Sequence, residues 1–155
     1  MNPKKLKQLK KRVKKVQQAA KTVPYIRELE GYRELFDDFP AIKYLMNNAL
    51  ESDRLLKNGL LPQPLPSLLL PDNIQDTIFQ RVNEQYPQGD PRGDALWNRY
   101  NDALPKLDRA LRNFRDHLED RYGMWSYVNA PFAKAPSDYL AGRPVLEIMA
   151  GNGYI

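Results

Sequence analysis

The residues with the clearest capacity for chemistry stand at positions 145–155, where Val145-Leu-Glu-Ile-Met-Ala-Gly-Asn-Gly-Tyr-Ile155 couples an apolar run to a glycine-rich turn. Val145 to Met149 has the composition of a strand covered on both faces of a parallel sheet, apart from Glu147. A carboxylate inside such a strand is costly unless a cation or hydrogen-bond donors meet it, so Glu147 implies a specific partner near the strand's C-terminal end. Past it, Gly151 and Gly153 flank Asn152, three residues that tolerate positive φ or close backbone approach. A strand, a tight glycine turn and a following helix N-terminus bring bare backbone N–H groups and a positive dipole end to one point. That combination suits a nucleotide-like ligand.

The string VLEIMAGNGY resembles the first motif of the class I S-adenosylmethionine-dependent methyltransferases, in which a hydrophobic strand with an internal acid leads into a GxGxG loop. The resemblance implies a Rossmann-like α/β domain with S-adenosylmethionine as cofactor, its methionine part wrapped by the loop. It gives Glu147 the acidic role in anchoring the cofactor's ammonium end and makes Gly151 and Gly153 the second and third loop glycines. Ala150 and Asn152 would offer backbone, and Met149 stands at the place of the first glycine. The candidate cofactor-binding set is thus Glu147, Met149, Ala150, Gly151, Asn152 and Gly153. Dinucleotide-binding folds share the strand and GxG, but they use G-x-G-x-x-G after a strand free of internal carboxylates, so Glu147 favours the methyltransferase. The helix after the loop, the ribose-binding acid and the catalytic groups would lie beyond Ile155. The expectation is the N-terminal portion of a longer enzyme, inactive as this chain, with catalytic residues and methyl acceptor unknown.

What must position the motif is mostly helical. Leu6, Leu9, Val13, Val16 and Ala20 recur at helical spacing and predict a helix over about residues 4–21. Pro24 suits the first turn of a second helix carrying Tyr25, Leu29, Tyr32, Phe36 and Phe39, closed by Asp37 and Asp38, which also cap the next. That third helix would turn Ile42, Leu45, Met46, Ala49 and Leu50 inward and stop at Asn58-Gly59. The prolines of LLPQPLPSLLLP, residues 60–71, predict an extended connector whose leucines pack. Asp72 is expected to cap a helix bearing Ile74, Ile78, Val82 and Tyr86. After a turn-rich break, Leu96 to Tyr122 predicts a long helix kinked near Pro105, or two helices meeting there, ended by Gly123. Residues 124–143 read as a lead-in with one short helix around 137–141. The expected fold is mainly α: a helical domain at 1–122, then at 123–155 the lead-in, first strand and glycine loop of an incomplete Rossmann-like methyltransferase domain. The helical part would resemble a substrate-selecting extension.

The chain has no cysteine, which excludes disulfides, thiolate metal sites and cysteine nucleophiles and makes the cytoplasm the default compartment; its single histidine removes most metal and triad chemistry. No metal site is expected. No apolar run is long enough to cross a bilayer, and the lysine-rich start lacks a signal peptide's apolar stretch. The net charge of +5 belongs to one segment: residues 1–21 hold nine bases and no acid, leaving 15 of the 24 bases against all 19 acids in the rest. Such a helix could contact nucleic acid or an anionic membrane face, but the favoured reading is a solvated basic face on a helix whose leucine stripe packs inside. A coiled-coil contact between two copies, giving a homodimer, stays open. The rival function is a non-catalytic helical binding module using this basic helix to contact nucleic acid or another anionic partner. His117, beside Asp116, Glu119 and Asp120, is expected on the surface, and Trp97 and Trp125 in the core or an interface.

Overall fold

Pro3–Leu35 forms one helix, α1, running through Pro24. In this computed structural model residues 3–144 and 146 are described, the side chains of 3, 4, 15 and 18–23 excepted. The expected break at Pro24 is absent. A proline inside a helix removes one N–H bond and crowds the preceding turn, and here tertiary packing outweighs that local loss. Directly after it, Tyr25, Ile26 and Tyr32 pack against the core, and Leu29 and Phe36 are wholly buried. The helix gives way at residues 36–38, where Phe39 N–H bonds back to Phe36 O at 3.0 Å.

α2 spans Pro40–Lys57, with Pro40 in its first turn and Phe39 as an extended N-cap that supplies no side-chain bond. Asp37 and Asp38 therefore do not cap it; Asp37 instead pairs with Lys43 at 2.6 Å. Ile42, Leu45, Met46, Ala49 and Leu56 are buried, and Gly59 ends the helix at φ 74° as its composition predicts. Residues 60–71 run without regular structure, and Leu61, Leu65, Leu68 and Leu70 pack on the core as expected. α3, Ile74–Gln85, buries Ile74, Ile78 and Val82; its N-cap is Asn73 rather than Asp72.

α4 spans Pro91–Arg112 and α5 Phe114–Tyr122. Asp90 caps α4, its Oδ1 accepting from Arg92 N–H at 2.9 Å. The helices part at Asn113, eight residues past the proposed junction at Pro105. Pro105 and Asn101, one turn before it, are both exposed, so the carbonyl that loses its partner can turn to water and α4 continues. Gly123 closes α5 at φ 66°. The helix expected around 137–141 is longer, α6 at Ala130–Leu140, and contains no buried residue. Its Asn129 cap accepts from Phe132 N–H at 2.9 Å, and Ala130 N–H bonds to Pro62 O.

α1 packs on α2, α4 and α5, and α3 on α4, around one core that also takes in Met124 and Val128. The fold is mainly α, with no strand among the described residues. No described helix is long and apolar enough to cross a membrane. Of the predicted strand only Leu146 is described, 86% exposed; the rest of it lies outside the described residues.

Gly31 sits inside α1, exposed, with nothing within 4 Å of where a Cβ would be. Gly31→Ala should stabilise the protein by about 0.5–1 kcal/mol, because alanine loses less backbone entropy in a helix. A urea melt shifted to higher midpoint at unchanged slope is the expected readout; a lower midpoint would contradict the open environment.

Candidate functional site

The six residues named from sequence as cofactor-binding, Glu147, Met149, Ala150, Gly151, Asn152 and Gly153, lie outside the described residues. The chain is held up to the segment just before them. Arg143 donates from Nε to Leu140 O at 3.0 Å and from Nη2 to Tyr139 O at 2.7 Å, so its guanidinium covers the bare carbonyls at the C-terminus of α6.

Two constellations in the described body were not named as sites from the sequence. The first is a cleft of about 770 Å³ between the connector, the α4–α5 junction and residues 124–127. Leu65, Leu68, Phe114 and Met124 supply apolar wall, with Trp125 and Arg115 also lining it. Trp125 is 66% exposed, so it belongs to this opening rather than to the core. Tyr127 anchors the cleft's edge. Its hydroxyl donates to the Gln63 carbonyl, so the 3.1 Å contact with Ser52 Oγ has the serine as donor. Burial raises the Tyr127 phenol above its ordinary pKa. An apolar wall with an indole and a guanidinium can receive a flat or apolar group carrying an anionic or acceptor edge.

The second is a buried polar cluster joining α2 to α5. His117 is 6% exposed, which corrects its expected surface position. Its ring stacks on Tyr25 of α1 at 4.7 Å between centroids and lies 5.9 Å from Phe114. Its Nε2 is 2.7 Å from Asp53 Oδ1, which also accepts from Tyr122 Oη at 2.7 Å. Burial pushes the Asp53 carboxyl up, but the hydrogen bonds from His117 and Tyr122 outweigh it and leave the group below the ordinary carboxylate range. An ionised carboxylate only accepts, so Nε2 carries the proton of this bond. Burial, then the bond to Asp53, holds the Tyr122 phenol well above its usual pKa. Tyr25 is raised mainly by burial too, and its hydroxyl donates to Ala110 O at 2.7 Å. A smaller hollow of about 230 Å³ beside the cluster is lined by Arg27, Glu30, Lys57 and Arg121.

The cluster has a histidine and an acid, but the nearby serine, Ser52, is bonded to Tyr127 instead. Its chemistry is to tie α1, α2 and α5 together. No group of three or more His, Asp or Glu among the described residues could hold a metal ion. A sequence signal for the cluster existed: Ser52 and Asp53 continue the inward stripe of α2 from Ala49 to Leu56, and His117 falls between Phe114 and Leu118 on the stripe of α5. Polar residues on an apolar stripe are the mark of a buried hydrogen-bonded group.

The depressed pKa of Asp53 has a consequence for acid stability. A group whose folded pKa is below its unfolded one, about 3.9, contributes stability that is complete above the unfolded value and lost as pH falls through the folded one. Below about pH 4 the melting temperature of the protein should fall more steeply than that of Asp53→Asn. Parallel slopes for the two proteins would remove Asp53 from the acid transition.

Compared with protein-family models, with curated proteins and with solved structures, the chain matches none of them.

Proposed function

We propose that the chain is the N-terminal portion of a class I S-adenosylmethionine-dependent methyltransferase, its helical body serving as a substrate-selecting extension. The observation that carries the reading is the order of residue types in 145–154: an apolar run broken only by Glu147, then Ala-Gly-Asn-Gly. In it Glu147 anchors the cofactor's ammonium end through hydrogen bonds, while Gly151 and Gly153 let the loop backbone approach closely, with Ala150 and Asn152 between them and Met149 at the loop's entry. Two features of the described body agree with it. α6, just ahead of the motif, buries nothing of its own and leaves Phe132 53% and Tyr139 78% exposed, as suits an element that packs on a following sheet domain. The cleft at Trp125 and Arg115 offers an acceptor substrate an apolar floor close in sequence to the motif.

Methyl transfer in this reading is a matter of position: cofactor sulfonium and acceptor nucleophile are held in line, and the extension supplies the acceptor's side. The test starts with the coding sequence after codon 155. A second strand ending in Asp or Glu within about twenty to thirty residues is expected. A protein that includes it should bind S-adenosylmethionine by calorimetry, and Glu147→Ala should weaken that binding about tenfold or more. A stop codon at 156, or undiminished binding by Glu147→Ala, would overturn the reading.

A further inference from the structure

The first half of α1 carries an apolar stripe that the rest of the described structure leaves uncovered. Leu6, Leu9, Val13 and Val16 are 46%, 54%, 49% and 69% exposed, contrary to the expectation that they pack inside. At about 100° per residue they fall within an arc of about 80°. By the same geometry Lys5 and Arg12 lie along one edge of the arc and Lys10 and Lys14 along the other, all exposed, with no acid anywhere in residues 1–21.

We propose that this half of α1 is an interfacial helix that lies on an anionic lipid bilayer. The stripe calls for an apolar layer, and the flanking cations call for anions at that layer's rim. Acidic headgroups above acyl chains supply both in that order, with the long lysine stems letting their ammonium groups rise to the headgroups. Duplex nucleic acid would satisfy the lysines and leave the four apolar side chains in water. A second copy would cover the stripe but set cation against cation with no acid to pair them. The rest of the chain, with 15 bases against 19 acids, is repelled by an anionic surface, so charge also orients the molecule with α1 towards the membrane. The proposal is independent of the methyltransferase reading, which concerns residues at the other end of the chain.

The full chain should co-sediment with phosphatidylcholine vesicles containing about a third phosphatidylglycerol, and bind at least about tenfold more weakly to phosphatidylcholine alone. The double variant Leu9→Gln/Val13→Gln keeps every charge and alters only exposed positions. It should lose at least about tenfold in vesicle affinity. Should that variant melt early, Leu6→Gln/Val16→Gln is the equivalent pair. Absence of vesicle binding would overturn the proposal, as would equal binding by a folded stripe variant. Binding of duplex RNA without vesicle binding would assign the lysines to nucleic acid instead.

Discussion

Asp53→Ala is expected to cost about 3–4 kcal/mol of folding stability, the magnitude seen when one member of a buried charge-assisted network is deleted. One oxygen of this carboxylate takes hydrogen bonds from both His117 and Tyr122, and the His117 side chain is only 3% exposed. Without the carboxylate the buried His117 N–H loses its acceptor and is penalised for its desolvation, while the half-buried Tyr122 hydroxyl loses its shorter bond but keeps the Asp53 backbone carbonyl at 3.1 Å. Among the buried side-chain atoms described, none lacks a partner in the native protein, so the loss is not diluted by an existing defect. Asp53→Asn keeps the shape and one acceptor oxygen while removing the charge, and should cost about 1–2 kcal/mol. Urea denaturation at neutral pH would separate the two variants by midpoint at constant slope. An alanine variant within about 1 kcal/mol of the parent would mean that water replaces the carboxylate and that the cluster is not what joins α2 to α5.

How far this organisation was legible depends on the competition at each residue. Gly59 and Gly123 end their helices as expected because a left-handed residue is a local requirement, and local requirements show in the sequence. The inward set of α2 was legible because its apolar spacing had no competitor. Pro24 misled for the same reason in reverse: it is a local breaker, and whether a proline breaks a helix depends on long-range packing and on which side faces water; at Pro105, where either a continuous kinked helix or a junction was expected, α4 runs on. His117 was obscured by the acids around it, which sit on the outer face, whereas the ring itself turns towards Tyr25. The stripe of α1 gave correct periodicity and the wrong partner, since spacing specifies a face but not what covers it.

The same division applies to function. The motif from Glu147 to Gly153 is a sequence-level observation, and the described body contributes the elements leading to it: a capped α6 and a cleft near Trp125. The cleft was not legible in advance because it is assembled from three separated segments, the connector, the α4–α5 junction and residues 124–127. No periodicity argument brings Leu65, Arg115 and Trp125 to one opening. The buried Met124 beside them and the anchoring of Tyr127 on Gln63 help to fix where that opening lies.

The second large effect is expected at Phe36. This ring is fully buried at the end of α1, with its centroid 6.0 Å from Phe39 and 5.4 Å from Tyr100. Phe39 in turn meets Tyr100 edge-on at 5.2 Å, so three rings close the corner where α1 ends, α2 begins and α4 passes. Phe36→Ala removes a whole ring from that corner, and the neighbours cannot collapse into the space because two of them are rigid aromatics. The cost should be about 3–5 kcal/mol, against a total stability of about 5–15 kcal/mol for a domain of ordinary size. Phe36→Leu, which keeps most of the volume, should cost about 1–1.5 kcal/mol. Phe132→Ala provides the contrast, since Phe132 lies 53% exposed on α6 and its loss should fall within about 0.5 kcal/mol of the parent. The three variants are compared by thermal melts with near-ultraviolet circular dichroism reporting the aromatic corner. If Phe36→Ala melted no earlier than Phe132→Ala, the corner would not be part of the cooperative core, and the packing that carries α1 past Pro24 would have to be sought at Leu29 and Tyr25 instead.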